Sequence, residues 1–167
     1  TATKRLLDDS IKWVKFSGAV WSPDGQGFYY SGYDAPKKGI YSAKNEYQKV
    51  YYHRIGTPQS ADRIVYADPQ HPLRYFSAWE SDDSRWIFVS SSEGTSGSEI
   101  LYKRKGAPNF EVLLKGFDHD YNIVDCSDDQ LYVRSNEGAE NYNLIKIDLN
   151  DPSKREVVIP EKENLLE

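Results

Sequence analysis

Val20-Trp21-Ser22-Pro23-Asp24-Gly25 stands just ahead of the apolar run Phe28-Tyr29-Tyr30, and two later stretches have the same plan. Trp79-Glu80-Ser81-Asp82-Asp83-Ser84 precedes Trp86-Ile87-Phe88-Val89, and Asp125-Cys126-Ser127-Asp128-Asp129 precedes Leu131-Tyr132-Val133. Each reads as strand, acidic turn, strand. Asp and Ser side chains bond nearby backbone amides in turns, and Asp24-Gly25 tolerates the positive φ of a tight hairpin. With Asp24, Asp83 and Asp129 as equivalent points, the spacings are 59 and 46 residues. A four-stranded propeller blade repeats at roughly 40–50 residues. The excess in the first repeat is assigned to a polar insertion over residues 34–48, which carries Pro36 and Gly39.

Two more strands are expected after each acidic turn. The third covers residues 49–55, 98–104 and 143–149, and the shorter fourth covers 63–66, 111–114 and 156–159. Leu144-Ile145-Lys146-Ile147-Asp148-Leu149 alternates with period two, the pattern of a half-buried strand. Trp86-Ile87-Phe88-Val89 does not alternate, so both of its faces should be buried, as in a second strand sandwiched between neighbouring blades. No segment gives a convincing amphipathic helix. The fold expected is therefore all-β, about three consecutive four-stranded antiparallel blades of a partial β-propeller, with Asp24, Asp83 and Asp129 capping equivalent turns. The blades are placed at 14–68, 73–116 and 120–160, with 1–13 ending a preceding blade and 161–167 leading to the next.

Composition agrees with a globular chain and excludes several classes. With 167 residues, 38% hydrophobic and 28% charged, the chain can build a core and is not of disordered composition. No stretch approaches the length of a membrane-spanning helix. Thirteen Tyr and four Trp favour strands, where flat rings pack on pleated surfaces. The net charge is −5 and the basic residues are scattered, the densest run being Lys103-Arg104-Lys105. Nucleic acid needs a longer positive face, so neither it nor a membrane is an expected partner. Cys126 is the single cysteine and can form no internal disulfide. The chain begins at Thr1 without a Met or an apolar signal-type segment, and it is expected to be a piece of a longer protein.

The aligned repeats carry more specific words. Trp13-Val14-Lys15-Phe16-Ser17, then Trp21-Ser22, Asp24-Gly25, Gly27-Phe28-Tyr29-Tyr30 and Tyr33, resemble the propeller of prolyl oligopeptidases. Tyr51-Tyr52-His53-Arg54-Ile55-Gly56-Thr57-Pro58-Gln59-Ser60-Ala61-Asp62 is similar to that family's Tyr-x-His-x-x-Gly-Thr strand and loop. Leu144-Ile145-Lys146-Ile147-Asp148 and Val158-Ile159-Pro160-Glu161 look like its next blade and the link beyond. The resemblance runs in order over essentially the whole chain. It implies a seven-bladed propeller capping an α/β-hydrolase domain whose Ser/Asp/His triad cleaves short peptides after proline. This chain would supply part of the substrate-excluding propeller and none of the triad. The implied partners are the hydrolase domain, the remaining blades and short peptides. A cytoplasmic location is expected, with periplasmic or secreted as the alternative. A free-standing binding scaffold, or the propeller of a relative that prefers basic residues, are the rival readings. Blade faces left open in a fragment are expected to drive self-association at high micromolar concentration.

Candidate chemistry is sparse. Gly94-Thr95-Ser96-Gly97-Ser98 is the nearest approach to a nucleophile elbow, but its fifth residue is Ser98 and a strand is expected after it, not a helix. It reads as a hairpin loop, so no catalytic residue, cofactor site or metal site is assigned. In the family this loop faces the catalytic domain, with an Arg commonly ahead of its Glu-Gly pair near bound substrate. Here Ser92 stands where that Arg would be. Ser92, Glu93, Gly94 and Thr95 are the candidate channel-facing residues. His53, His71 and His119 are expected at the surface, since no recurring His or Cys spacing suggests zinc. Trp21, Trp79 and Trp86 are expected to pack blades.

Overall fold

In a computed structural model the structure describes residues 7–35 and 45–166. The middle of the expected insertion, residues 36–44, lies outside them, as do residues 1–6 and Glu167. Twelve strands follow in order: β1 (Val20–Trp21), β2 (Gly27–Gly32), β3 (Lys49–Arg54), β4 (Arg63–Ala67), β5 (Tyr75–Glu80), β6 (Trp86–Ser92), β7 (Glu99–Arg104), β8 (Glu111–Leu114), β9 (Tyr121–Ser127), β10 (Gln130–Ser135), β11 (Asn143–Asp148) and β12 (Arg155–Ile159). They form three four-stranded sheets, β1-β2-β3-β4, β5-β6-β7-β8 and β9-β10-β11-β12, each in sequential order. One 3-10 turn, Gln59–Ala61, interrupts the β3–β4 loop. Residues 7–19 form no strand.

The pairing repeats in detail. The second and third strands run antiparallel from Gly27↔Arg54 to Gly32↔Lys49, from Trp86↔Arg104 to Ser91↔Glu99, and from Gln130↔Asp148 to Ser135↔Asn143. Every outer strand then carries an irregularity at the same place. The register shifts between Val50 and Tyr51, between Ile100 and Leu101, and between Leu144 and Ile145. A bulge bends its strand and increases the local twist, so each outer strand is turned in the same way. Nothing in the side-chain pattern of these strands announces it.

The first two turns are built as their sequences imply. Ser22 Oγ donates to Asp24 at 2.6 Å, and Asp24 accepts from the Gln26 amide. Ser81 Oγ donates to Asp83 at 2.7 Å, and Asp83 accepts from the Arg85 amide. The left-handed position is Gly25 in one turn, with φ +66°, and Ser84 in the other, with φ +59°. The third turn differs. Ser127 pairs directly with Gln130, which leaves a two-residue hairpin in which Asp128 and Asp129 both have positive φ. Asp129 sits between first and second strands as expected but does not cap its own turn. With the loop two residues shorter, no local amide lies ahead of its carboxylate, which takes the Trp86 indole N–H at 2.7 Å and the Arg85 guanidinium at 3.1 Å.

The chain divides into two compact units, Thr1–Trp79 and Glu80–Glu167. In the first, Tyr29, Tyr30, Val50, Phe76 and Ala78 are buried. Gln48 is buried with them; its side chain accepts from the Phe76 amide at 2.7 Å and donates to the Lys15 carbonyl at 3.1 Å. Trp21, expected to pack blades, is 57% exposed on the two-residue edge strand β1 and meets Phe28 edge-on, with ring centroids 5.6 Å apart. In the second unit Trp86, Ile87, Phe88 and Val89 are all buried, as the unbroken apolar run requires. Trp86 stacks on Tyr102 with ring centroids 5.6 Å apart and lies under the Arg104 guanidinium. Of the alternating run on β11, Ile147 is fully buried and Leu144, Ile145 and Lys146 half-buried.

Candidate functional site

The residues 92–95 singled out in the sequence begin at the last residue of β6 and run onto the loop to β7. Ser92 is half-buried, while Glu93, Gly94 and Thr95 are exposed. The segment 94–98 joins two antiparallel strands and leads into β7, so it lacks the strand-to-helix turn that lifts a nucleophilic serine.

The base of this loop is fixed more firmly than its composition suggests. Gly97 has φ +74°, and a Cβ placed on it would lie 1.7 Å from the Phe117 carbonyl oxygen. Only glycine permits this approach. Two bonds follow from it: the Gly97 amide donates to the Asp120 carboxylate at 2.7 Å, and the Ser98 amide donates to the His119 carbonyl at 2.9 Å. The second oxygen of Asp120 accepts the Tyr142 hydroxyl at 2.8 Å, and the Asp120 amide donates to Asn136 Oδ1. Asp120 thereby joins three connections of one unit, β6–β7, β8–β9 and β10–β11. The Gly97 amide and then the Tyr142 hydroxyl hold its carboxyl below the ordinary range. The same bond pushes the Tyr142 hydroxyl up. Burial, then the Glu137 carboxylate that accepts its proton, raises Tyr121 to about 12. The arrangement is a rigid base under an exposed tip. Among the described residues of the loop and its base, no nucleophile is paired with a base.

Of these residues, the sequence marked the tip and missed the base. His119, expected at the surface, lies in Asp118-His119-Asp120. Asp120 is a structural acceptor, and His119 is half-buried, edge-on to Tyr121. Only Gly97 carried a usable signal. His71 is exposed as expected. His53 is not: its side chain is completely buried, with Nδ1 2.8 Å from Asp62 and Nε2 3.0 Å from Asp9. Its position on β3, with Asp62 nine residues on and Asp9 44 residues back, brings three ionisable groups together. Among the described residues, no group of three or more His, Cys, Asp or Glu is placed to hold a metal ion. No helix among them is long and apolar enough to cross a membrane.

Residues 1–167 match the family model described as prolyl oligopeptidase, N-terminal beta-propeller domain. The prolyl endopeptidase of Elizabethkingia meningoseptica is 38% identical over 152 residues, which is 90% of this chain and 21% of that protein. The dual function macrocyclase-peptidase of Galerina marginata is 30% identical over 166 residues, 94% of this chain and 23% of that protein. The chain thus spans about a fifth of the length of these relatives. A solved structure of prolyl oligopeptidase B from Galerina marginata, bound to a 25mer macrocyclization substrate, superposes with a TM-score of 0.84 at 28% identity, over 94% of this chain and 23% of that one. Oligopeptidase B from Leishmania major shares the fold, with a TM-score of 0.67 at 21% identity over 98% of this chain and 22% of that one. The three four-stranded antiparallel sheets in sequence order agree with the propeller fold that these matches name, and the chain belongs to the prolyl oligopeptidase N-terminal β-propeller family.

Proposed function

We propose that this chain is the substrate-gating propeller segment of a serine endopeptidase that hydrolyses short peptides after proline, and that it works by steric selection rather than by breaking bonds. The observation that carries this reading is the threefold sheet repeat, in a chain whose family match runs from end to end. Antiparallel sheets with paired backbones and short turns suit a filter, because radial packing of stiff blades leaves only a narrow central passage. In this reading residues 14–68, 73–116 and 120–160 are the three blades, 1–13 end a preceding one, and 161–167 link to the next. The remaining blades and an α/β-hydrolase domain belong to the same parent chain and carry the triad. Ser92, Glu93, Gly94 and Thr95 face the passage, which is consistent with an exposed tip on a stapled base. A cytoplasmic location goes with the same reading.

The test uses the parent enzyme and this chain side by side. The parent should cleave a short proline-containing fluorogenic peptide, and the chain alone should give no turnover, because a nucleophile activated by a base is required. In the parent, Gly94→Trp should lower kcat/KM about tenfold for long peptides (~1.4 kcal/mol) and leave the shortest substrates unchanged. There is open space around Gly94 for the added ring. Turnover by the chain that survives repurification and is blocked by a serine-reactive phosphonate would overturn the placement of chemistry elsewhere. An unchanged length dependence in the variant would overturn the gate.

A further inference from the structure

His53 is fully buried on β3, and each ring nitrogen faces a carboxylate oxygen, Nδ1 to Asp62 at 2.8 Å and Nε2 to Asp9 at 3.0 Å. A neutral imidazole carries one N–H and one lone pair. It can satisfy one of these carboxylates and must turn a lone pair toward the other. Only the doubly protonated ring donates to both. The Asp62 side chain is 2% exposed, and its second oxygen accepts the Tyr30 hydroxyl at 2.8 Å. Asp9 is held differently. Its side chain is 13% exposed, and the oxygen that faces His53 also accepts the Gly56 amide at 2.6 Å.

Asp9 belongs to the stretch that enters the first sheet. Leu7, Asp8 and Ser10 around it are exposed, so Asp9 alone of these four is tucked in. Residues 7–12 and the loop at 56–59 line an open cleft of about 690 Å³. The stretch is tied again at Lys12, whose amide donates to Gln59 Oε1 at 2.9 Å, while Gln59 Nε2 returns a bond to the Lys12 carbonyl at 3.0 Å. Those two bonds contain no titratable group.

We propose that Asp9, His53 and Asp62 form a proton-dependent staple, in which the imidazolium holds residues 7–10 against the β3–β4 loop and loss of its proton releases them while Lys12 stays tied to Gln59. The groups that face the ring are Asp9 from the entering stretch, Asp62 from the end of the 3-10 turn and, through Asp62, Tyr30 of β2; Phe28 packs against the ring with centroids 5.1 Å apart. On deprotonation the remaining N–H stays with Asp62, which is buried and already oriented by Tyr30. The Nε2 lone pair then opposes Asp9, the only one of the two carboxylates with water within reach. Burial alone would lower the pKa of His53, but the bonds to Asp62 and Asp9 outweigh it and raise it above 6.5. Asp9 is correspondingly lowered, chiefly by its bond to His53. A histidine raised in the folded state contributes its full stabilisation below its unfolded pKa and loses it as pH rises through the folded value. Release is therefore an alkaline-side event.

The test is a proton-resolved titration of the unaltered chain between about pH 6 and 9. The His53 ring signal should titrate with a midpoint above 6.5. The hydrogen-exchange protection factor of the Gly56 amide, which removes the intrinsic pH dependence, should fall about tenfold or more through that same midpoint. Protection of the Lys12 amide should not change. In Asp9→Asn, the Gly56 amide should lose its dependence on pH and the His53 midpoint should move down. A midpoint at or below 6.5, flat Gly56 protection across the His53 titration, or joint loss of protection at Gly56 and Lys12 would each overturn the proposal. Should Asp9→Asn fail to fold, the titration of the unaltered chain decides alone.

Discussion

Replacing Gly97 by alanine would set a methyl carbon 1.7 Å from the Phe117 carbonyl oxygen, far inside any permitted contact. The atom in the way is backbone, so no rotamer relieves the clash and the loop must move. An alanine with φ near +74° costs about 1–2 kcal/mol for the left-handed conformation alone. Moving the loop also withdraws the Gly97 amide from the Asp120 carboxylate, a charge-assisted bond worth about 1.5–3 kcal/mol. Together these give a loss of about 3–5 kcal/mol, a large part of the ~5–15 kcal/mol that holds a domain folded. Equilibrium urea unfolding measures it, with fluorescence of Trp86 reporting on the second unit, where it is the one tryptophan. The expected result is a lower midpoint with an unchanged slope. A loss below about 1 kcal/mol would refute the reasoning, since it would mean that the loop base is not fixed by the Gly97–Phe117 approach. Asp120→Asn should cost less than Gly97→Ala, because its single amide oxygen can still accept from the Gly97 amide, without the charge, and the backbone approach to Phe117 is untouched.

Three other outcomes are expected. Ser84→Gly should stabilise the chain by about 0.5–1 kcal/mol in thermal unfolding, because Ser84 occupies the left-handed turn position that glycine fills at Gly25; a destabilised variant would show that the Ser84 side chain has another role. The Asp83 carboxyl is lowered to about 2, first by the Ser81 hydroxyl and then by the Arg85 amide and guanidinium. A lowered carboxyl stabilises above its unfolded pKa and loses that as pH falls through the folded value, so Asp83→Asn should flatten the decline in stability between 3.8 and about 2; an unaltered acid profile would refute this. Sedimentation equilibrium should show self-association of the chain at high micromolar concentration, through apolar faces such as Val157, Val158 and Ile159 on β12 and Val124 on β9, all exposed; a strictly monomeric profile over a hundredfold concentration range would refute it.

The sequence by itself determined the strands, their order and two of the three acidic turns. These features are local: a period-two pattern, an unbroken apolar run, or Ser-x-Asp ahead of a left-handed residue is complete within about ten residues, and backbone geometry does the rest. Asp129 shows where that reading fails. It stands between first and second strands as Asp24 and Asp83 do, but a hairpin two residues shorter turns its carboxylate to Trp86 and Arg85, 43 and 44 residues earlier. The exposed tip at 93–95 was legible as a loop, whereas its anchor through Gly97 and Asp120 spans 23 residues and depends on how two connections meet. The outer-strand shifts have no side-chain signature, because each is one extra backbone residue opposite the third strand, which residues of many types can supply. His53 is the plainest case. On a strand of alternating polarity it reads as a surface histidine, and only the folded chain supplies the two distant carboxylates that make its burial affordable. A lone buried charge is prohibitive and a paired one is not, so whether a polar residue lies inside is decided by partners that local sequence does not contain.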